Sequence, residues 1–299
     1  MKKIMVTGSN GLVGQHLIHA LVQRNDVSVI ALGKGPDRSA LSGKPQYQYI
    51  DADITDGVRM REIVLEHRPD TVIHGAAMTQ VDDCEQDKPH CYNVNVSATR
   101  FIIEPMEEIG ARLIYLSTDF IFSGNNGPYD EQAEPDPVNY YGSTKVQAEK
   151  AVMESQLDWA IIRTVLVYGN TIEGTRGNIL TWIKGQLEKG EAIKVVSDQE
   201  RTPTYVQDLV KGILLILDKD KKGVYHISGA ETLSPYQMAI AAAEYLGLPG
   251  SLIEKVDSST FRQLGQRPLK TGFIIDKASR ELGYAPISFR QALQELYPR

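Results

Sequence analysis

The chain of 299 residues contains only two cysteines, Cys84 and Cys91. They are too few for a disulfide framework, and nothing around them has metal-ligand spacing. That scarcity suits a reducing compartment, so a cytoplasmic location is expected. No run of about 18 apolar residues occurs, and the apolar stretch in Met1–Gly8 is too short for a secretory signal. Neither export by that route nor a membrane span is expected. A basic excess is also missing: 32 Lys and Arg stand against 38 Asp and Glu, for a net charge of −6. This argues against nucleic acid as the partner, because surfaces that bind it are basic. No internal repeat, charge block or low-complexity segment is visible, and Gly124-Asn125-Asn126-Gly127-Pro128 reads as a loop. No metal site is expected either; Glu104, Glu107 and Glu108 read as a solvated acidic helix face.

What is present is an ordinary globular composition, 42% hydrophobic and 23% charged, with a strong alternation in it. Short β-rich apolar runs at residues 3–7, 27–32, 47–50, 71–74, 112–117 and 159–163 are separated by amphipathic helical stretches. Such alternation predicts βαβ units and an α/β fold: a Rossmann-type, doubly wound parallel sheet over residues 1–169. Residues 170–299 are expected to form a smaller C-terminal α/β substrate-binding lobe, with some chain crossing back to the first domain. There the spacing predicts helices over 178–189 and 206–217, strands over 192–196 and 224–228, and helices N-capped by Ser234 and Ser288.

The first strand runs into Gly8-Ser9-Asn10-Gly11-Leu12-Val13-Gly14, followed by a helix with Val13, Leu17, Ile18 and Leu21 on one face. Glycines at 8 and 11 let the backbone turn tightly and approach a pyrophosphate. Gly14 lets the helix pack on the strand, and the helix N-terminus offers its amides to the anion. Strand before and helix after favour dinucleotide binding over a plain structural turn.

The sharpest chemical signal is Tyr141-Gly142-Ser143-Thr144-Lys145 at the start of a helix. Tyrosine and lysine four residues apart share one face. An ammonium there stabilises a phenolate and so lets the phenol pass its proton to a carbonyl oxygen. Upstream, Leu116-Ser117-Thr118-Asp119 ends a strand, and in such sheets ligands gather at carboxyl ends. Thr118 can donate to a substrate oxygen. His74-Gly75-Ala76-Ala77-Met78-Thr79 closes another strand with small residues that either let a dinucleotide lie close or simply pack tightly.

The spacing G-x-x-G-x-x-G, together with Thr118, Tyr141 and Lys145, resembles the extended short-chain dehydrogenase/reductases, which act mostly on nucleotide-linked sugars. The resemblance implies cofactor contacts from Gly8, Asn10, Gly11, Leu12, Val13, Gly14, Asp53, Ile54, Ala76, Ala77, Met78, Asn95, Tyr141 and Lys145. Asp53 and Ile54 would lie at the adenine, and Asn95 would order its helix and support the lysine. NAD-preferring members end the second strand with an acidic residue. Here Lys34 and Arg38 follow it instead, so NADP(H) is preferred, with NAD(H) as the alternative; an ordinary solvated basic loop is the other reading of these two residues.

More narrowly, Ser117 to Gly124, Gly127-Pro128-Tyr129, Glu134-Pro135, Asn139 to Gly142, Asp198-Gln199, Pro203-Thr204, Asp208 and Arg267-Pro268 are similar to the dTDP-4-dehydrorhamnose reductase (RmlD-like) branch. That similarity implies reduction of the C4 ketone of a nucleotide-linked deoxysugar, with substrate contacts from Thr79, Thr118, Asp119, Asn178, Arg201 and Arg267. Leu166 stands where the reductases typically carry a tryptophan. Arg201 replaces an expected glycine and matches an arginine that epimerases and dehydratases use on a diphosphate; an ion-pairing role is the alternative for both Arg201 and Arg267. Dehydration is disfavoured because Phe120 occupies the place of the glutamate base. Another extended-family oxidoreductase or epimerase remains an alternative. So does a non-catalytic NADP-binding subunit resembling the methionine adenosyltransferase beta subunit, which shares an Arg-x-Pro-Thr segment like Arg201–Thr204. Homodimers are common in the family, though no interface motif stands out here.

Overall fold

The fold was analysed in a computed structural model, which describes residues 1–171 and 177–298. The first half alternates β1 (Lys2–Thr7), α1 (Leu12–Val22), β2 (Val27–Gly33), β3 (Tyr47–Asp51), α2 (Gly57–His67) and β4 (Thr71–His74). It continues through α3 (Val81–Gln86), α4 (Lys88–Tyr92), a π-helical turn at Asn93–Ser97, α5 (Ala98–Ile109), β5 (Arg112–Thr118), α6 (Tyr140–Glu154) and β6 (Trp159–Thr164). Then come β7 (Val167–Tyr168), α7 (Ile179–Glu188), β8 (Ile193–Val196), β9 (Thr204–Tyr205), α8 (Val206–Asp218) and β10 (Gly223–His226). The chain closes with α9 (Pro235–Leu246), β11 (Ile253–Val256), α10 (Asp276–Leu282) and α11 (Phe289–Leu296).

Seven strands form one parallel sheet in the order β10-β6-β5-β4-β1-β2-β3. The strands are nearly continuous apolar runs because both faces are covered. On one face Ile4, Val29 and Ile162 pack with Leu17 and Leu21 of α1 and Leu209 and Ile213 of α8. On the other, Met5, Val72 and Ile161 pack with Met60 of α2, Ile102 of α5 and Ala148 of α6. This is the doubly wound α/β fold expected from the alternation. Strand order reverses between β1 and β4, and the crevice outside their carboxyl ends is where such sheets bind ligands.

After β7 the chain builds a second layer in which β8 pairs with β11 beneath α7 and α9. It also returns to the main sheet, since α8 covers one face and β10 adds a seventh strand beside β6. The serines at 234 and 288 do cap α9 and α11, each closing a capping box with Gln237 or Gln291. Asn178 caps α7 in the same way with Thr181.

Candidate active site

The glycine turn sits at the reversal point. Gly8 adopts φ +72°, and a Cβ there would lie 2.8 Å from the Ala76 amide nitrogen; one on Gly14 would lie 2.2 Å from the Gly8 carbonyl oxygen. The turn therefore needs glycine for its own path and for contact with the end of β4. Gly11 caps α1 without a side chain, so the first-turn amides remain uncapped and suited to an anion. Leu12 and Val13 pack inward from this turn. The residues present thus fit a dinucleotide pyrophosphate.

The loop after β2 is fixed to this turn. Asn10 Nδ2 donates to the carbonyls of Lys34 (3.3 Å) and Pro36 (3.0 Å) and to the Tyr49 hydroxyl (2.9 Å), while its Oδ1 accepts from the Arg38 amide (3.2 Å). Asn10 holds the adjacent loop. Exposed Lys34 pairs with Asp53 at 2.8 Å. That hydrogen bond, with those from Thr55, holds the Asp53 carboxyl down to about 2. Ile54 is buried behind it.

At the end of β4, His74 is held between the hydroxyls of Thr7 (2.6 Å) and Thr99 (3.2 Å). Burial, then the Lys145 charge, brings it down to about 3, so it stays neutral. Ala76, Ala77 and Met78 follow, half-buried, and Thr79 is exposed. Asn95, in the π-helical turn, accepts from the Met78 amide (2.8 Å) and donates to the Met78 carbonyl (3.0 Å) and the Thr144 hydroxyl (3.0 Å). It therefore ties the end of β4 to the residue preceding Lys145.

Helix α6 begins beside these groups. Asn139 caps it, accepting from the Gly142 amide at 2.8 Å and donating to the Gln266 carbonyl at 2.8 Å. Gly142 is needed because a Cβ would lie 2.1 Å from the Phe120 carbonyl oxygen. Tyr141 and Lys145 are both buried. Burial raises the Tyr141 phenol above its ordinary range, opposed by the Thr118 hydroxyl. Lys145 Nζ donates to the Leu116 carbonyl at 2.7 Å and lies 4.1 Å from the centre of the Tyr115 ring. Burial brings its ammonium down to about 7, against the opposing charge of Glu149. Thr118 donates to Asp119 Oδ1 at 3.2 Å and accepts from the Phe120 amide. Thr118, Tyr141 and Lys145 are thus brought together at the carboxyl edge of the sheet.

The structure places Arg201, for which an ion pair was the alternative to a diphosphate contact, among partners within the protein. Its side chain is 4% exposed and pairs through Nε with Asp119 at 3.5 Å. Its other donors reach the carbonyls of Glu200, Leu269 and Pro268 and the Gln199 Oε1. Both terminal nitrogens of the guanidinium thus donate within the protein. Asp119 also accepts from Thr271; its burial raises the carboxyl and Arg201 lowers it. The side-chain amide of Asn178, expected on the substrate side, caps α7 and donates to the Gly169 carbonyl at 2.6 Å. Arg267 grips Asp82 with both terminal nitrogens, at 2.6 and 2.9 Å. Asp82 and Thr271 escaped the sequence reading; with Asn139 they hold residues 264–271 across the site.

This fold and site define an extended short-chain dehydrogenase/reductase. The chain belongs to the RmlD substrate binding domain family, whose family model matches residues 1–299. It is 30% identical over 298 residues to the spore coat polysaccharide biosynthesis protein SpsK of Bacillus subtilis, covering 99% of this chain and 96% of that protein. It is also 30% identical over 264 residues to methionine adenosyltransferase 2 subunit beta of Bos taurus, covering 86% and 76%. Among solved structures, the dTDP-4-dehydrorhamnose reductase of Bacillus anthracis in complex with NADP superposes with a TM-score of 0.85 at 28% identity, over 99% of each chain. Among the described residues, no helix is long and apolar enough to cross a membrane.

Proposed function

We propose that the protein is an NADPH-dependent reductase of the C4 ketone of a nucleotide-linked deoxysugar, of the dTDP-4-dehydrorhamnose type. The observation that carries this reading is the burial of Tyr141 and Lys145, one helical turn apart, beside Thr118 at the carboxyl edge of the sheet. Bound NADPH supplies the hydride. Burial keeps the Tyr141 phenol neutral, which is the form a proton donor needs, and the phenol releases its proton as charge develops on the ketone oxygen. Thr118 orients that oxygen. The Lys145 ammonium stabilises the resulting phenolate.

The cofactor would be held by the turn at Gly8, Asn10, Gly11, Leu12, Val13 and Gly14, by Asp53 and Ile54, and by Ala76, Ala77, Met78 and Asn95. Lys34 and Arg38 favour NADP(H) over NAD(H), with Lys34 exchanging the Asp53 carboxylate for a 2′-phosphate. The NADP complex of the Bacillus anthracis relative supports the same preference. Thr79, Thr118, Asp119 and Arg267 are the candidate residues on the substrate side.

The test is NADPH oxidation by the purified protein with dTDP-4-dehydro-6-deoxy-L-mannose, run beside NADH and UDP- and GDP-linked keto-sugars. Turnover is expected, and Tyr141→Phe should lower kcat by about 10² to 10⁴ while leaving NADPH binding intact. Near-normal turnover by that variant would refute the mechanism. Absence of turnover by the parent protein, despite tight NADPH binding, would instead favour a binding subunit of the kind named in the bovine relative.

A further inference from the structure

We propose that the buried ion pair of Glu149 and Arg163 is a positioning device for Lys145, with Glu149 supplying the negative charge that holds the lysine as an ammonium one helical turn from Tyr141. Its consequence for turnover rests on the reductase reading; its geometry does not. Lys145, Glu149 and Arg163 expose 3%, 2% and 3% of their surface. A buried ammonium needs a compensating charge, yet among the described residues Lys145 Nζ meets the Leu116 carbonyl and the face of Tyr115, both neutral.

Glu149 stands four residues along α6, on the same side of the helix as Lys145. Arg163, on β6, grips it with Nε at 3.1 and 3.3 Å and Nη2 at 2.7 Å. The carboxylate is therefore fixed against the sheet and cannot turn away to solvent. Within this trio of two cations and one carboxylate, burial acts against the charge of Lys145.

The other groups around Lys145 do not replace Glu149. His74, from β4, is neutral, held down to about 3 by burial and then by the Lys145 charge itself. Burial raises both Tyr115 of β5 and Tyr141 of α6, so neither is anionic near neutral pH. Cys91 of α4 acts in the same direction as Glu149 but contributes less. With burial drawing Lys145 down to about 7, the charge of Glu149 decides its state under ordinary conditions. A nearby opposite charge moves a titration midpoint by roughly one to three pH units.

The experiment follows Lys145 directly, in protein labelled with carbon-13 at lysine Cε, with its resonance assigned by Lys145→Met. In the parent the midpoint is expected near neutrality. In Glu149→Gln, which leaves Arg163 an amide oxygen, it should fall by roughly one to two pH units. The alkaline limb of ketone reduction should fall with it, because the lysine then loses its proton at a lower pH; Glu149→Asp should restore most of the parental profile. Should Glu149→Gln fail to fold, Glu149→Gln/Arg163→Met removes the orphaned guanidinium along with the carboxylate, and its midpoint should fall by a smaller amount. A folded variant that melts earlier while its Lys145 midpoint stays unmoved would overturn the proposal, because the pair would then be structural alone. A shifted midpoint in a protein that turns over no keto-sugar would support the positioning and refute the reductase reading.

Discussion

Replacing Arg201 by methionine distinguishes a structural arginine from a ligand-binding one. The structure buries the guanidinium, pairs it with Asp119 and surrounds it with the carbonyls of Glu200, Pro268 and Leu269. Arg201→Met would leave the 3%-exposed Asp119 side chain without its cation. Removing one member of a buried pair costs about 3 to 5 kcal/mol, and for a chain of this size that lowers Tm by roughly 10 °C. Because burial raises the Asp119 carboxyl, the folded protein binds that proton more readily than the unfolded chain does. The stability this group contributes is fully present below the ordinary carboxylate pKa of about 3.9 and is lost as pH rises through the folded value. Arg201 limits that loss, so the deficit of the variant should be larger at neutral pH than near pH 5. Urea and thermal unfolding across this range provide the assay. In the double variant Asp119→Asn/Arg201→Met, the cycle should recover on the order of 1 to 3 kcal/mol. The reasoning is refuted if Arg201→Met unfolds like the parent while losing affinity for a sugar nucleotide, which would make Arg201 a diphosphate ligand after all.

Two further perturbations address the cofactor loop and the segment across the site. Lys34→Ala/Arg38→Ala should weaken NADPH binding on the order of tenfold more than NADH binding in equilibrium titrations, and equal weakening would remove the case for a 2′-phosphate. Asp82→Asn releases Arg267, whose guanidinium, with the Gly265 and Leu264 amides, holds the Asp82 carboxyl down to about 2. Since that folded value is depressed, the stabilisation is present above the ordinary pKa and disappears as pH falls through about 2. With Asp82 37% exposed, the cost at neutral pH should be about 1 kcal/mol after solvent screening, measured by urea unfolding; an unchanged midpoint would refute it.

The parts of this molecule legible in its sequence are those encoded within a few residues. Strands such as Thr71–His74 are apolar because both sheet faces are covered, and a run of that kind announces itself directly. Serines 234 and 288 signal helix starts because a capping box is a four-residue contract between a hydroxyl and a following glutamine. The positions of Tyr141 and Lys145 could be read because four residues make one helical turn. By contrast, the short strands β7, β9 and β11 hold only two to four residues each, and their pairings span long separations. They carry no periodic signal of their own.

The same distinction explains what local spacing leaves undecided in the site. Arg201 matches a diphosphate ligand through the family resemblance, whereas its partner Asp119 lies just after β5, far off in sequence, and two of the carbonyls it meets belong to residues 268 and 269. Arg267 reaches Asp82 across 185 residues, and Glu149 meets Arg163 only because α6 folds back onto β6. In each case local spacing identifies a charged residue, whereas the fold decides whether that charge faces a ligand or another charge. A buried charge must be matched within the protein or by what binds there. For Arg201 the match is internal, which favours a clamp on Asp119, and through it Thr118, over a ligand contact.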